Sequence, residues 1–129
     1  MDFENRYSEE QQQFRQEVKK WLEENVPKDI VNRADSKNTS FEEYQKYREL
    51  GRSLGDKGWL WPAAPVEYGG GGLSIDRAIV IEEEMDSYGM NIPPYYDSGG
   101  RLGGASILVW GSQEQKQRFL PDLAVGRKR

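Results

Sequence analysis

Apolar residues recur at helical spacing along most of the chain. The first such stretch follows Ser8-Glu9-Glu10-Gln11, where the serine and glutamine side chains can each bond a free backbone N–H group at a helix start. The apolar positions then fall at i, i+4, i+7 and i+8 and are Phe14, Val18, Trp21 and Leu22. Pro27 marks the end of this helix soon after Asn25, and residues 29–39 are polar without a period, which predicts a loop.

Two further helices are predicted between residues 40 and 89. Ser40-Phe41-Glu42-Glu43 repeats the capping pattern, and Gly55 and Gly58 mark the end of the second helix. Ser74 precedes the third helix and Gly89 follows it.

The third helix is predicted to have a wide apolar face, as expected of a helix packed between neighbours. Its members are Ile75, Ala78, Ile79, Ile81, Met85 and Tyr88. Glu82 falls inside this face, and a buried carboxylate is costly without partners. We therefore expect Glu82 to meet an arginine or a hydrogen-bond donor.

Two more helices complete the chain. The fourth should end at Trp110, before Gly111, and its almost wholly apolar segment Ala105–Trp110 predicts the most central helix of the set. Ser112-Gln113-Glu114-Gln115 is a third capping box that begins a fifth helix, and Pro121 should interrupt or restart this helix after Phe119 and Leu120. The pattern predicts an all-α fold of about five helices.

Composition then excludes several kinds of chemistry. The 129 residues include no Cys and no His, which removes thiolate nucleophiles, Ser-His-Asp triads and imidazole or thiolate metal ligands. The net charge of −4 argues against nucleic acid as a partner, and no apolar run approaches the ~18 residues of a membrane span. The acidic, polar first residues do not resemble a secretory signal, so we expect a cytoplasmic protein without a membrane span.

The stretch GWLWPAAPVEYGGGGLS, residues 58–74, combines rigid prolines and tryptophans with four consecutive glycines. A glycine-rich turn before a helix can hold a phosphate group on its free N–H groups. No strand precedes the turn, however, and no lysine follows at the spacing of a nucleotide-binding loop. We favour a structural turn that folds Trp59, Leu60 and Trp61 back over the helices, with a phosphate site as the alternative.

Several motifs occur in an order and spacing that resemble a known domain. They are Gly58-Trp59-Leu60, then Pro65 to Ser74 (PVEYGGGGLS), then Glu83-Glu84-Met85, then Gly111 to Pro121 (GSQEQKQRFLP). Together they resemble the N-terminal helical domain of acyl-CoA dehydrogenases, and the match covers nearly the whole chain. The resemblance implies an orthogonal helical bundle over residues 1–129, with the family's middle β-domain and C-terminal α-bundle absent.

The resemblance also implies a chemistry for the complete protein. In that family a glutamate removes the α-proton of an acyl-CoA while the β-hydrogen leaves as hydride to FAD, giving a 2-enoyl-CoA. The glutamate and most FAD contacts belong to the two absent domains. We therefore assign no catalytic residue in this chain, and we interpret Glu82, Glu83 and Glu84 as helix-packing residues. The family is commonly a homo-oligomer.

The resemblance implies that this domain contributes one wall of the acyl pocket. Counting back from Gly111 places Tyr95, Ser98 and Leu102 at lining positions, whereas counting forward from Glu83 differs by one residue. Two adjacent aromatic rings, Tyr95 and Tyr96, favour a branched, cyclic or aromatic acyl chain. The alternative is that both tyrosines pack beneath a domain interface.

Other functions remain open at this point. The chain could be a non-enzymatic helical module that docks on a partner, or part of a related flavin monooxygenase or acyl-CoA oxidase. A domain that covers a second domain should expose a large apolar patch, whereas a stand-alone module should not.

Overall fold

A computed structural model of the chain describes residues 6–30, 40–87 and 99–127. Within these ranges it contains five α-helices and no strand, which confirms the all-α prediction. The helices are α1 (Glu9–Asn25), α2 (Phe41–Lys57), α3 (Ile75–Ser87), α4 (Ala105–Trp110) and α5 (Gln113–Ala124). Short 3-10 turns occupy Lys28–Ile30 and Val66–Tyr68, and a π-helical segment, Gly99–Gly104, leads into α4.

The three predicted capping boxes all form. At the start of α1, Gln11 N donates to Ser8 Oγ at 3.1 Å and Ser8 N donates to Gln11 Oε1 at 2.9 Å. Ser40 and Ser112 make the same reciprocal pairs at α2 and α5. Each pair satisfies two backbone donors that a helix leaves free at its start, so local sequence alone fixes these three boundaries.

The core lies between α1, α2 and α3. Its buried members are Phe14, Val18, Leu22, Val26, Tyr47, Leu50, Leu54, Trp59, Val80, Ile81 and Met85. Trp59 enters from the glycine-rich stretch and meets Phe14 and Trp21 edge-on, with ring centroids 5.8 and 5.6 Å away. Leu60 packs against the same core and Trp61 is half-buried, so this stretch folds back over the bundle as predicted.

The predicted apolar face of α3 is partly wrong. Ile75 and Ile79 are exposed, and the buried residues of this helix are Ala78, Val80, Ile81, Glu84 and Met85. The helix is therefore rotated away from the predicted face, toward α1, against which it packs. Glu82 is exposed, and the buried carboxylate is that of Glu84. Tyr88 and Gly89 lie outside the described residues.

Two predictions near the chain end are also wrong. Helix α4 is not central, since none of its six residues is buried. Pro121 does not interrupt α5, which runs through it. Leu120 and Ala124, one helical turn apart on either side of the proline, are both buried, and this packing compensates for the backbone hydrogen bond that proline cannot make.

The predicted 29–39 loop is described only at its start. Residues 29 and 30 belong to the 3-10 turn, and 31–39 lie outside the described ranges. None of the helices in the described ranges combines the length and apolar character needed to cross a bilayer.

Candidate functional site: an exposed apolar face on the fourth helix

Of the three residues predicted to line an acyl pocket, only Leu102 lies within the described residues. Tyr95 and Ser98 fall outside the described residues. Leu102 lies in the π-helical segment, with 69% of its surface exposed, and its carbonyl accepts a 2.8 Å hydrogen bond from Ser106 Oγ. Leu102 is therefore free to contact another domain or a ligand, and its lining role stays a prediction.

Leu102 belongs to a larger set of exposed apolar side chains, which we call the α4 face and define as Leu102 of the π-helical segment together with Val109 and Trp110 of α4. Val109 is 66% exposed and Trp110 is 87% exposed. On the neighbouring helix α5, Phe119 is also exposed. Burying a large apolar side chain stabilises a protein by roughly 1.5–3 kcal/mol, and soluble monomers rarely leave such groups clustered in water. The α4 face has the composition of a contact surface.

Five amides of the glycine-rich stretch, from Gly69 to Leu73, are already hydrogen-bonded and are not free to bind a phosphate. Each of these amides donates to a carbonyl of the same stretch, at 2.8–3.1 Å. The pairs run from Gly69 to Val66, Gly70 to Pro65, Gly71 to Trp61, Gly72 to Ala64 and Leu73 to Pro62. The stretch is therefore a self-bonded turn, as favoured from the sequence, and the phosphate alternative is wrong for these amides.

A charged cluster joins α1 to α3. Arg15 Nη1 donates to Glu84 Oε1 and Arg15 Nη2 donates to Glu83 Oε2, both at 2.7 Å. Tyr7 donates its hydroxyl to Glu83 at 2.8 Å, and the Tyr7 ring lies 4.6 Å from the Arg15 guanidinium carbon. Ser87 Oγ lies 3.5 Å from Glu84 Oε2. One arginine thus bridges two neighbouring carboxylates across the helix pair.

The electrostatics of this cluster favour the charged forms. The hydrogen bond that Arg15 donates to Glu84 raises the pKa of Arg15 above its ordinary value, against the opposing effect of burial. The hydrogen bond from Arg15 lowers the pKa of Glu83 below its ordinary 4.5. A catalytic base needs a pKa near the working pH, so a Glu83 held more strongly ionised is suited to an ion pair and not to proton transfer.

Neither the charged cluster nor the rest of the described chain offers a metal site. No group of three or more Asp and Glu residues among the described positions is arranged to hold an ion. Glu83 and Glu84 point toward Arg15, which supports their interpretation as helix-packing residues.

Sequence reasoning missed two features of this surface. Arg15 was not recognised as the partner of a buried carboxylate, because nothing local to α1 signals a contact 69 residues away. The exposure of α4 was also missed, because an apolar run looks the same whether it is buried inside one domain or covered by another. A third feature, the end of α5, could have been found from Gly126, since glycine is common just past a helix end.

Comparisons with known proteins fit this geometry. A sequence profile of the family described as "Acyl-CoA dehydrogenase, N-terminal domain" matches residues 8–127. The mitochondrial isovaleryl-CoA dehydrogenase of Pongo abelii is 34% identical over 123 residues, covering 95% of this chain and 28% of that protein. The acyl-CoA dehydrogenase IpdE1 of Mycolicibacterium smegmatis is 31% identical over 117 residues, covering 88% of this chain and 29% of that protein.

A solved structure is also similar. The ChsE4-ChsE5 complex from Mycobacterium tuberculosis superposes with a TM-score of 0.73 at 25% identity, over 98% of this chain and 30% of the matched chain. The chain therefore spans less than a third of the length of these relatives.

Proposed function

The chain belongs to the acyl-CoA dehydrogenase family as an N-terminal domain, and from this premise we propose that it forms one wall of the acyl pocket in an FAD-dependent acyl-CoA dehydrogenase. The observation that carries the proposal is the exposed α4 face. A bundle that functions alone would gain stability by covering Leu102, Val109 and Trp110. The relatives are more than three times longer than the matched region, and their additional domains offer a cover of the required kind.

FAD is the cofactor that this function requires, and the described residues do not favour binding it here. The glycine-rich turn is the natural place in this chain for a pyrophosphate, but the amides of Gly69 to Leu73 are all bonded within the turn. As the family resemblance implies, we assign FAD, the catalytic base and most of the substrate contacts to the remaining domains. The role of this helical bundle is to form one wall of the pocket and to exclude water from it.

Tyr95, Ser98 and Leu102 are the residues that we propose for the pocket wall. The exposure of Leu102 supports its part, because a wall residue needs its side chain free on the domain surface. Relatives named isovaleryl-CoA dehydrogenase carry a branched acyl group in that name, which supports the branched alternative for the substrate.

Titration with FAD tests the function directly. We expect the purified chain to bind no FAD alone, and to form an FAD complex that acyl-CoA bleaches once the remaining domains are supplied as a separate polypeptide. Trp110→Ser should weaken this assembly about tenfold or more, since it removes a large apolar contact. Phe41→Ser, which alters an exposed aromatic residue on α2, is the matched control and should assemble normally. FAD binding by the chain alone, or by neither preparation, would contradict the proposal.

A change in acyl-chain preference tests whether Tyr95 lines the acyl pocket. In the assembled protein, Tyr95→Ala should change the relative kcat/KM values for short, branched and aromatic acyl-CoA substrates by about 10-fold, because pocket shape discriminates groups of this size by about 1–3 kcal/mol. Identical ratios in wild type and variant would remove Tyr95 from the wall and favour its packing beneath a domain interface.

A further inference from the structure

The end of α5 closes in a defined turn. Arg127 N donates to Asp122 O at 2.9 Å and Gly126 N donates to Leu123 O at 3.2 Å. With Gly126 in the left-handed region at φ 75°, these two bonds form a Schellman motif. The motif reverses the chain direction immediately after the helix, so residues 125–127 do not continue along the axis of α5.

The reversed segment lies directly on α2. A Cβ atom added at Gly55 would come within 2.6 Å of the carbonyl carbon and Cα of Val125. A Cβ added at Gly126 would lie 3.2 Å from the carbonyl of Gly51. Two backbones therefore touch at positions where only glycine leaves enough room. Arg48 adds a polar contact, since its Nη2 donates to Gly126 O at 3.0 Å.

Arg48, Gly51 and Gly55 follow at i, i+3 and i+7 and share one face of α2, which we call the exit seat. The exit seat holds the chain at the place where the family match ends, residue 127. The relatives are more than three times as long as this chain, and under the proposed function the polypeptide continues from that point into a further domain. The direction in which the polypeptide leaves the bundle therefore limits where the next domain can lie.

We propose that the exit seat orients the following domain against this bundle, and that Arg48 is thereby a positioning residue for the acyl site. The inference rests on the proposed function. An active site formed between domains tolerates little displacement, because a misplacement of about 1 Å can lower the rate by about 100-fold. Arg48 acts through the chain path and does not touch the substrate.

Hydrogen exchange in the 129-residue chain tests the first half of the proposal. Arg48→Met removes the donor to Gly126, so we expect faster exchange at the Gly126 and Arg127 amides, with little change in the core amides of α1. Ser53→Ala is the matched control, since the Ser53 hydroxyl bonds Glu49 O on an exposed part of the same helix. If the Gly126 amide exchanged at the same rate in Arg48→Met as in wild type, Arg48 would not hold the chain at the exit seat and the proposal would be wrong.

Steady-state kinetics in the full-length polypeptide test the second half. We expect Arg48→Met to lower kcat/KM for acyl-CoA by about tenfold per bound FAD, and Arg48→Lys to recover most of it because an ammonium group can donate to the same carbonyl. A lower melting temperature with unchanged KM and kcat per bound FAD would make the role structural only and overturn the proposal. If wild type itself fails to bleach with acyl-CoA, the proposed function fails, and the exchange measurement still decides the seat.

Gly55→Ala provides a second variant at the same place. An added methyl group there meets the Val125 backbone, so we expect both the exchange and the kinetic effects to exceed those of Arg48→Met. A Gly55→Ala protein that folds and keeps wild-type kcat/KM would contradict an orienting role for the seat.

Discussion

Replacing Arg15 with methionine should lower the free energy of unfolding by about 3–5 kcal/mol, the cost of leaving a buried charge without its partner. Glu84 is only 5% exposed, and Arg15 Nη1 lies 2.7 Å from its carboxylate. Methionine fills much of the same volume as arginine but donates no hydrogen bond. The expected loss therefore comes from the stranded carboxylate and not from a cavity.

Chemical denaturation of wild type and variant measures this difference. Glu83→Gln is the internal control, because 38% of the Glu83 side chain is exposed and water can replace much of what is lost. Changing Arg15 and Glu84 together to methionine should recover most of the stability, since a packed apolar pair can substitute for a buried ion pair. If Arg15→Met cost less than about 1 kcal/mol, the pair would be behaving like a surface ion pair.

The acid limb of the stability curve gives an independent check of the same cluster. A carboxyl group whose pKa is lower in the folded state stabilises the protein above its unfolded pKa, and that contribution is lost as the pH falls through the folded pKa. The Arg15 hydrogen bond lowers the pKa of Glu83, so stability should decline as the pH drops below 4.5. The decline should be shallower in Glu83→Gln than in wild type.

Local sequence was sufficient to predict the starts of α1, α2 and α5 and the end of α2. Ser8, Ser40 and Ser112 each carry their capping partner three residues along the chain, so the signal and the structure occupy the same few residues. The end of α2 at Gly58 is equally local, because its φ of 78° suits glycine.

The buried face of α3 could not be predicted in the same way. Three consecutive glutamates follow Ile81, and their spacing alone does not tell which one points inward. The choice depends on Arg15, which lies on α1 and selects Glu84 by a contact across the helix pair. Glu82 falls within the predicted apolar face only if Ile75 and Ile79 belong to that face, and both of these residues are exposed.

The candidate site depends on information beyond this bundle. The run from Ala105 to Trp110 is apolar enough for a core helix, and in the described structure α4 instead exposes Val109 and Trp110. A sequence pattern indicates that residues are apolar, but not whether they are buried within their own bundle. The family resemblance predicts that the domain exposes a large apolar patch, and periodicity alone does not.

The second large effect on stability is expected in the glycine-rich turn. Gly71→Ala should lower the free energy of unfolding by about 3 kcal/mol, the upper range for forcing extra atoms into a packed site. An added Cβ would lie 2.7 Å from Pro62 O and would also collide with the carbonyl of Gly58. Both obstacles are backbone atoms, which cannot rotate away, and relief would require shifting the segment that carries Trp59 into the core.

Gly72→Ala separates close approach from backbone freedom as the reason for these glycines. Gly72 has a φ of 59°, whereas its added Cβ would meet mainly the Val66 side chain, which is exposed and able to move. The expected cost is therefore the left-handed strain alone, about 1–2 kcal/mol. Thermal or chemical unfolding of both variants, with the exposed Ala63→Ser as control, should rank Gly71→Ala as the more damaging. The opposite ranking would mean that the turn depends on conformational freedom more than on the contact between its two backbones.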